Sequence, residues 1–213
     1  YEIKLIKLSE YHQEAILKAK VLITEARIAW KNQLDAYREG QAWESKPENK
    51  VNDTVWQAMV DKQESALRAV DTMNSYLTVL TDKIDRNRMQ KEFMSVRLNS
   101  IITDMQDMTT KEMGVVQEKL NTAKPKTDEE AGRIKAIRLA SHKKFEEHQK
   151  MSVLYLDRIV KKLYDWSDLQ ETTIKSTNLF ERQTEILEKT IELAPITIGV
   201  DPKDLKDEQV TAL

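Results

Sequence analysis

The 213-residue chain contains no cysteine and little glycine, proline or aromatic side chain. The absence of cysteine excludes disulfide scaffolds, thiolate metal sites and cysteine nucleophiles. With only 4 glycines and 4 prolines, few positions break a helix, and helix formers such as Lys, Glu, Leu and Ala are abundant. The composition therefore predicts an all-α protein and argues against sheets and barrels.

Two further features are missing, a long apolar run and an excess of one charge. No segment approaches the roughly 18 unbroken apolar residues of a membrane span. The 34 Lys and Arg residues nearly balance the 36 Asp and Glu residues, for a net charge of −2, so nucleic acid is not an expected partner. We expect a soluble, cytoplasmic protein, with a membrane-peripheral location as the alternative.

Helix-breaking residues are concentrated at 45–52, at 122–127 and from Pro195 onward. They predict three helices, at about 8–44, 53–121 and 128–194, and an irregular tail at 195–213. Thr127 and Glu130 have the spacing of a capping box, which supports a helix start near residue 128. The short connection around Pro125 predicts that the second and third helices are antiparallel neighbours.

The second predicted helix carries a heptad pattern. Of 18 positions in two columns spaced by seven residues, 13 are apolar, against about 7 expected from the composition. The columns are Met59, Ala66, Met73, Leu80, Asn87, Met94, Ile101, Met108 and Val115, and Gln63, Val70, Leu77, Ile84, Lys91, Leu98, Met105, Glu112 and Lys119. We interpret the polar residues Asn87 and Lys91 as positions that fix helix register, together with Gln170, Thr173 and Thr177 of the third predicted helix. A hinge or local kink is the alternative.

The third and first predicted helices have similar columns. They are Leu156, Ile159, Leu163, Trp166, Gln170, Thr173, Thr177, Phe180, Thr184, Leu187, Ile191 and Ala194 in the third helix, and Ile16, Ala19, Ile23, Ala26, Trp30, Gln33, Tyr37 and Gly40 in the first. The three patterns predict an elongated antiparallel three-helix bundle with a coiled-coil-like long helical hairpin, forming one domain over residues 1–194. A bundle this thin has little interior, so we expect self-association or a constitutive protein partner.

Motifs for catalysis and for cofactor binding are absent. The four glycines are isolated from one another, so they cannot form a phosphate-binding loop. His142 and Glu146 share one helix face, but Phe145 occupies the position that Glu takes in the Glu-x-x-His motif of di-iron bundles. We therefore predict no enzyme activity, no catalytic residue, no bound metal and no cofactor.

Two groups of basic residues are predicted to meet when the hairpin is folded about Pro125, which places residue i opposite roughly 249 − i. Together they would form a basic belt of six cations: Arg86, Arg88, Lys91, Arg158, Lys161 and Lys162. This belt is our candidate site for an anionic partner or an anionic membrane surface. The alternative is an ordinary solvated face, in which acidic neighbours such as Asp82 and Asp157 pair with the cations.

The heptad columns favour a non-enzymatic structural or scaffold component that assembles through coiled-coil-like protein–protein contacts. The alternative function is a peripheral membrane-binding or membrane-shaping module that uses the basic belt. Its three long helices would resemble the BAR architecture in their number and length. No sequence motif contributes to this resemblance.

Overall fold

The structure is a computed structural model that describes residues 8–45, 53–123 and 133–199. Every regular element in these ranges is a helix and none is a strand, which confirms the predicted all-α class. None of the described helices combines the length and the apolar composition needed to cross a membrane. The predicted capping box at Thr127 and Glu130, and residues 200–213 of the predicted tail, lie outside the described ranges.

The described chain forms five α-helical segments. They are α1 (Leu8–Glu44), α2 (Asp53–Arg86), α3 (Phe93–Asp107), α4 (Gly114–Thr122) and α5 (Ile134–Thr197). A π-helical turn, Met108–Met113, joins α3 to α4 without interrupting the helix, so that residues 93–122 form one rod. The chain divides into two compact units, Tyr1–Gln170 and Glu171–Leu213, and α5 is continuous across their boundary.

The predicted continuous helix at 53–121 is wrong, because the chain leaves the helix after Arg86. The Met89 amide donates to the Ile84 carbonyl at 2.9 Å, and the Arg88 amide donates to the Asp85 carbonyl at 3.1 Å. Arg88 adopts the left-handed conformation, with φ at 57°. These features together form a Schellman motif, which satisfies the last carbonyls of α2 and reverses the chain.

Asn87 and Lys91 lie in this turn and are not register-setting positions of a continuous seam. The Asn87 side-chain amide donates to the Lys83 carbonyl at 2.7 Å and so caps the end of α2. Lys91 is exposed. The alternative interpretation, a hinge or local kink, is closer to the structure, in which the helix ends at Arg86.

Contacts between helices show how the rods of the first unit run. α1 and α2 are antiparallel, because Glu14 pairs with Lys83 near one end and Gln33 pairs with Gln63 near the middle. α5 is antiparallel to the α3–α4 rod, with contacts from Trp166 to Met94 and from His148 to Glu112. α5 is parallel to α2, with contacts from Phe145 to Trp56 and from Gln149 to Gln63.

The first unit therefore contains four rods that alternate in direction along the chain: α1, α2, the α3–α4 rod, and α5 up to Gln170. The predicted three-helix bundle is wrong here, because the turn at 87–92 divides the predicted second helix into two rods.

Heptad positions supply most of the core of this unit. Buried members are Met59, Ala66, Val70, Met73, Leu77, Leu80 and Ile84 in α2, Met94, Leu98, Ile101, Met105 and Met108 in the third rod, and Leu156, Ile159, Leu163 and Trp166 in α5. α1 faces them with a stripe of small residues: Ala15, Ala19, Ala26, Ala29, Ala36 and Gly40. Small side chains allow the α1 backbone to approach its neighbours closely.

The π-helical turn shifts the buried face of the third rod by one residue. A π turn contains one more residue than an α turn, so it rotates all later positions around the helix axis. After the turn the buried residues are Met113, Val116 and Leu120, where the heptad pattern predicted Glu112, Val115 and Lys119. The two predicted columns are therefore wrong at Glu112, Val115 and Lys119.

Candidate functional site

The α5 half of the predicted basic belt is paired with acidic side chains. Arg158 Nε and Lys162 Nζ contact the Asp104 carboxylate at 3.0 and 2.7 Å, respectively. Lys161 Nζ contacts the Asp157 carboxylate at 2.6 Å, one turn away on the same helix. Because two carboxylates lie beside the three cations, this half of the belt keeps a net charge of only about +1.

The other half of the belt lies at the end of α2 and in the turn that follows it. Arg86 pairs with Asp82 at 3.6 Å, and both Arg88 and Lys91 are exposed. Lys91 precedes α3, whereas Asp104, the partner of the α5 cations, lies about three turns into α3, or roughly 15 Å farther along the rod. The six cations therefore form two groups, and anion binding at either group remains a prediction.

A different set of chemistry-bearing residues lies where the end of α1 meets α5. His142 and Glu146 lie one turn apart on α5, and Glu44 is the last residue of α1. His142 Nδ1 is 3.0 Å from Glu44 Oε2. One ligand atom from each of the three residues lies within 4.8 Å of the other two. The imidazole is fully buried and both carboxylates are half-buried, so the cluster opens toward solvent on its acidic side.

Aromatic neighbours and a glycine fix the His142 ring. Trp43 and Phe145 contact the imidazole edge-on, with ring centroids 6.1 and 5.2 Å away. On another side, a Cβ atom at Gly40 would overlap His142 Nε2, so only glycine leaves room for the ring. Among the described residues, Nε2 has no hydrogen-bond partner.

Sequence reasoning finds only two of the three residues of this cluster. The spacing of His142 and Glu146 on one helix face is visible in the sequence, but Glu44 is 98 residues away from His142. Its approach depends on how α1 packs against α5, and a glutamate at a helix end has no distinguishing pattern. The prediction of no metal site relied on the missing Glu-x-x-His motif, which this arrangement does not need.

The two other histidines form single contacts between helices. His12 Nδ1 hydrogen-bonds with Gln170 Oε1, and His148 Nδ1 lies 2.7 Å from Glu112 Oε2. Neither belongs to a group of three or more candidate ligands within the part of the chain that the structure describes. These pairs therefore link rods and do not form a ligand site.

The C-terminal segment, defined here as residues 171–199, carries a wide face without charge. Every residue from Lys175 to Glu192 is exposed. Phe180, Leu187 and Ile191 expose 71%, 58% and 62% of their surface. At 100° per residue, a continuous arc of uncharged positions, from Ile186 on one side to Thr177 on the other, covers about 180° of the helix circumference.

Charged residues border this face in two columns of opposite sign. The acidic column contains Glu181 and Glu188, and the basic column contains Lys175, Arg182 and Lys189. Members of a column are seven residues apart, so they lie nearly in line along the helix. The uncharged face therefore has an acidic border on one side and a basic border on the other.

Comparisons with protein-family models, with curated proteins and with solved structures find no match to this chain. Its function is therefore inferred from the geometry of these residues alone.

Proposed function

We propose that the protein is a non-enzymatic scaffold component whose C-terminal segment joins copies of the chain through coiled-coil-like contacts. The observation that carries the proposal is the exposed, uncharged face of this segment. Full burial of a side chain such as Phe180 or Leu187 contributes about 1.5–3 kcal/mol relative to exposure. A helix with several such side chains in water has a strong tendency to associate.

The charged columns favour a second copy of the same segment in parallel orientation. In a parallel pair, rotation about the common axis brings the acidic column of one copy next to the basic column of the other. In an antiparallel pair, like columns meet, so Glu181 and Glu188 of the two copies would repel each other. Charge complementarity therefore supports parallel self-association.

The width of the face supports assemblies of more than two copies. A two-stranded coiled coil buries a narrow seam, whereas helices in larger bundles bury a face of 100° or more. In a cyclic parallel arrangement the acidic border of each helix meets the basic border of the next. About 180° of uncharged surface is thus better covered by two neighbours than by one.

The membrane-binding alternative has less support. Helices that lie on membranes carry Lys and Arg along their polar face. Between residues 173 and 194, the polar face holds four Glu against three Lys and Arg. The α5 cations of the basic belt also have carboxylate partners, Asp104 and Asp157. The expected cytoplasmic location remains a prediction.

Sedimentation velocity over a range of concentrations tests self-association. We expect the full chain to associate, and we expect Phe180→Glu and Leu187→Glu to shift it to monomer, because each would bury a charge in the face. Leu17→Glu is the matched control, because Leu17 is 66% exposed on α1, outside this face, and should leave association unchanged. A monomer at every concentration, or equal losses in all three variants, would overturn the proposal.

Cysteine cross-linking tests the orientation, since the chain has no cysteine of its own. Ser176→Cys and Ala194→Cys place a thiol near the midline of the face, close to its two ends along the helix. Parallel association predicts a disulfide-linked dimer from each variant alone, whereas antiparallel association predicts cross-links only in a mixture of the two. Glu185→Cys, on the polar face, is the control and should remain unlinked.

A further inference from the structure

We infer that Glu44, His142 and Glu146 form a binding site for a divalent transition-metal ion, with Zn²⁺ as the expected occupant. The inference is independent of self-association, because all three residues belong to the first unit. They offer one imidazole nitrogen and two carboxylate oxygens. Zn²⁺ accepts this donor set, whereas Ca²⁺ and Mg²⁺ prefer oxygen ligands alone.

The donor atoms are already close to metal-ligand spacing. Two ligands bound tetrahedrally at about 2.0–2.1 Å from a zinc ion lie about 3.3 Å apart. His142 Nδ1 and Glu44 Oε2 are 3.0 Å apart, and the Glu146 oxygen completes a group within 4.8 Å. Glu146 has a half-buried, three-torsion side chain, so a change of rotamer brings its oxygen to the same ion.

The histidine is held in position without an ion, which lowers the ordering cost of binding. Its ring lies against Trp43 and Phe145 and fills the space that Gly40 leaves open. Gln41 Nε2 donates to Glu146 Oε1 at 3.4 Å and helps to orient that carboxylate. The solvent-facing acidic side provides an entry path and a position for a water ligand.

The second nitrogen of His142, Nε2, lies beside Gly40, so Nδ1 is the ring atom that is available to an ion. Buried polar atoms almost always have a hydrogen-bond partner, yet Nε2 has none among the described residues. When Nδ1–H donates to Glu44, Nε2 carries no proton and its lone pair is buried. When an ion binds Nδ1, the proton resides on Nε2 instead.

Calorimetric titration of the metal-stripped full chain with ZnCl₂ tests the site, with Co²⁺ as a second probe whose visible absorption reports its ligands. We expect one ion per chain, and we expect Glu146→Gln and His142→Asn to weaken binding at least about tenfold. Matched controls are Glu147→Gln and His148→Asn, which change neighbouring residues of the same helix and should alter affinity less than about twofold.

Circular dichroism of each variant separates loss of ligand from loss of fold. Glu146 is half-buried, so Glu146→Gln should stay folded even where His142→Asn does not. Saturable binding that Glu146→Gln weakens and Glu147→Gln leaves intact would support the inference. Absence of saturable Zn²⁺ and Co²⁺ binding by the folded wild-type chain, or equal weakening by the control substitutions, would overturn it.

Discussion

Gln33 and Gln63 exchange two side-chain amide hydrogen bonds, each 2.9 Å long, in the buried interface between α1 and α2. Gln149 of α5 also donates to Gln63, at 3.3 Å, so one polar layer connects three rods. Apolar clusters lie on both sides of this layer, one containing Ala29 and the other Ala36. A helix that slipped along its neighbours would leave these amides unpaired, so the layer specifies register.

Replacing Gln63 should be costly for that reason. Gln63→Leu leaves the amides of Gln33 and Gln149 without their partner, and we expect the free energy of unfolding to fall by about 1–3 kcal/mol. Gln57→Leu is the control, because Gln57 is exposed on the same helix and should change stability by less than about 0.5 kcal/mol. Urea denaturation followed by circular dichroism measures both, and equal effects would contradict the role of the layer.

Gly40→Ala should destabilise the protein although alanine is the better helix former. Alanine in a helix is favoured over glycine by about 1 kcal/mol, but its Cβ at this position would overlap His142 Nε2. We expect a net loss of stability of about 1–3 kcal/mol from overpacking. In a His142→Ala background the obstruction is gone, so the same substitution should become neutral or stabilising. Thermal melts of the four proteins form a double-mutant cycle, and an unchanged effect of Gly40→Ala in both backgrounds would refute the steric explanation.

Arg88→Gly is expected to raise folding stability if residue 88 lies in a turn and to lower it if residue 88 lies inside a continuous helix. Glycine is favoured at the left-handed position of a Schellman motif, so we expect a gain of about 0.5–1 kcal/mol. The same change inside a helix would cost about 1 kcal/mol, and Arg97→Gly, in the middle of α3, should show that loss. Chemical denaturation compares the two variants. Destabilisation by Arg88→Gly of the same size as by Arg97→Gly would contradict the turn.

Tyr11 makes stability depend on pH in the alkaline range. Burial raises the pKa of Tyr11 to about 12, the Glu14 carboxylate adds to the rise, and the Ser95 side chain opposes it. In the unfolded chain the phenol ionises near pH 10. Between these values the unfolded state loses the proton and the folded state retains it, so stability falls as pH rises, by at most about 1.4 kcal/mol per pH unit.

Tyr11→Phe should remove this contribution to the slope of the unfolding free energy against pH. The measurement is the difference in unfolding free energy between wild type and variant from about pH 9 to pH 12, since other groups that titrate there are common to both. Tyr164→Phe, at an exposed tyrosine, is the control and should leave the slope unchanged. A difference between wild type and Tyr11→Phe that stays constant with pH would contradict the assignment.

The heptad pattern predicts which residues of α2 and α3 are buried, but it cannot reveal that the chain reverses between them. Ile84 and Met94 are both core residues, and the turn happens to have the length that keeps them in one seven-residue register. Two antiparallel helices produce the same pattern of buried positions as one continuous helix when the turn between them preserves the seven-residue spacing. A stronger, local indication of the turn is the run of polar residues around Arg88, where the Schellman motif forms.

The candidate site shows a different limit. His142 and Glu146 are related by helix geometry alone, so their shared face follows from the sequence. Glu44 joins them only because the small residues of α1 allow it to pack against α5, and Gly40 makes room for the imidazole. Such contacts depend on the relative rotation of two helices, which a single-helix pattern does not determine.

The alanine stripe of α1 affects how the bundle opens before it unfolds. Ala15, Ala19, Ala26 and Ala29 each remove only one methyl group from water, whereas the facing residues of α2 and α3 include many Met, Leu and Ile side chains. Tyr11, Leu22 and Trp43 are the larger apolar side chains that α1 itself buries, fewer than α2 contributes, so we expect α1 to detach at a lower free-energy cost than the other rods. Amide protons of α1 should exchange with deuterium through a partial opening, at a lower free energy than those of α2 and α3, although they are well shielded in the folded state.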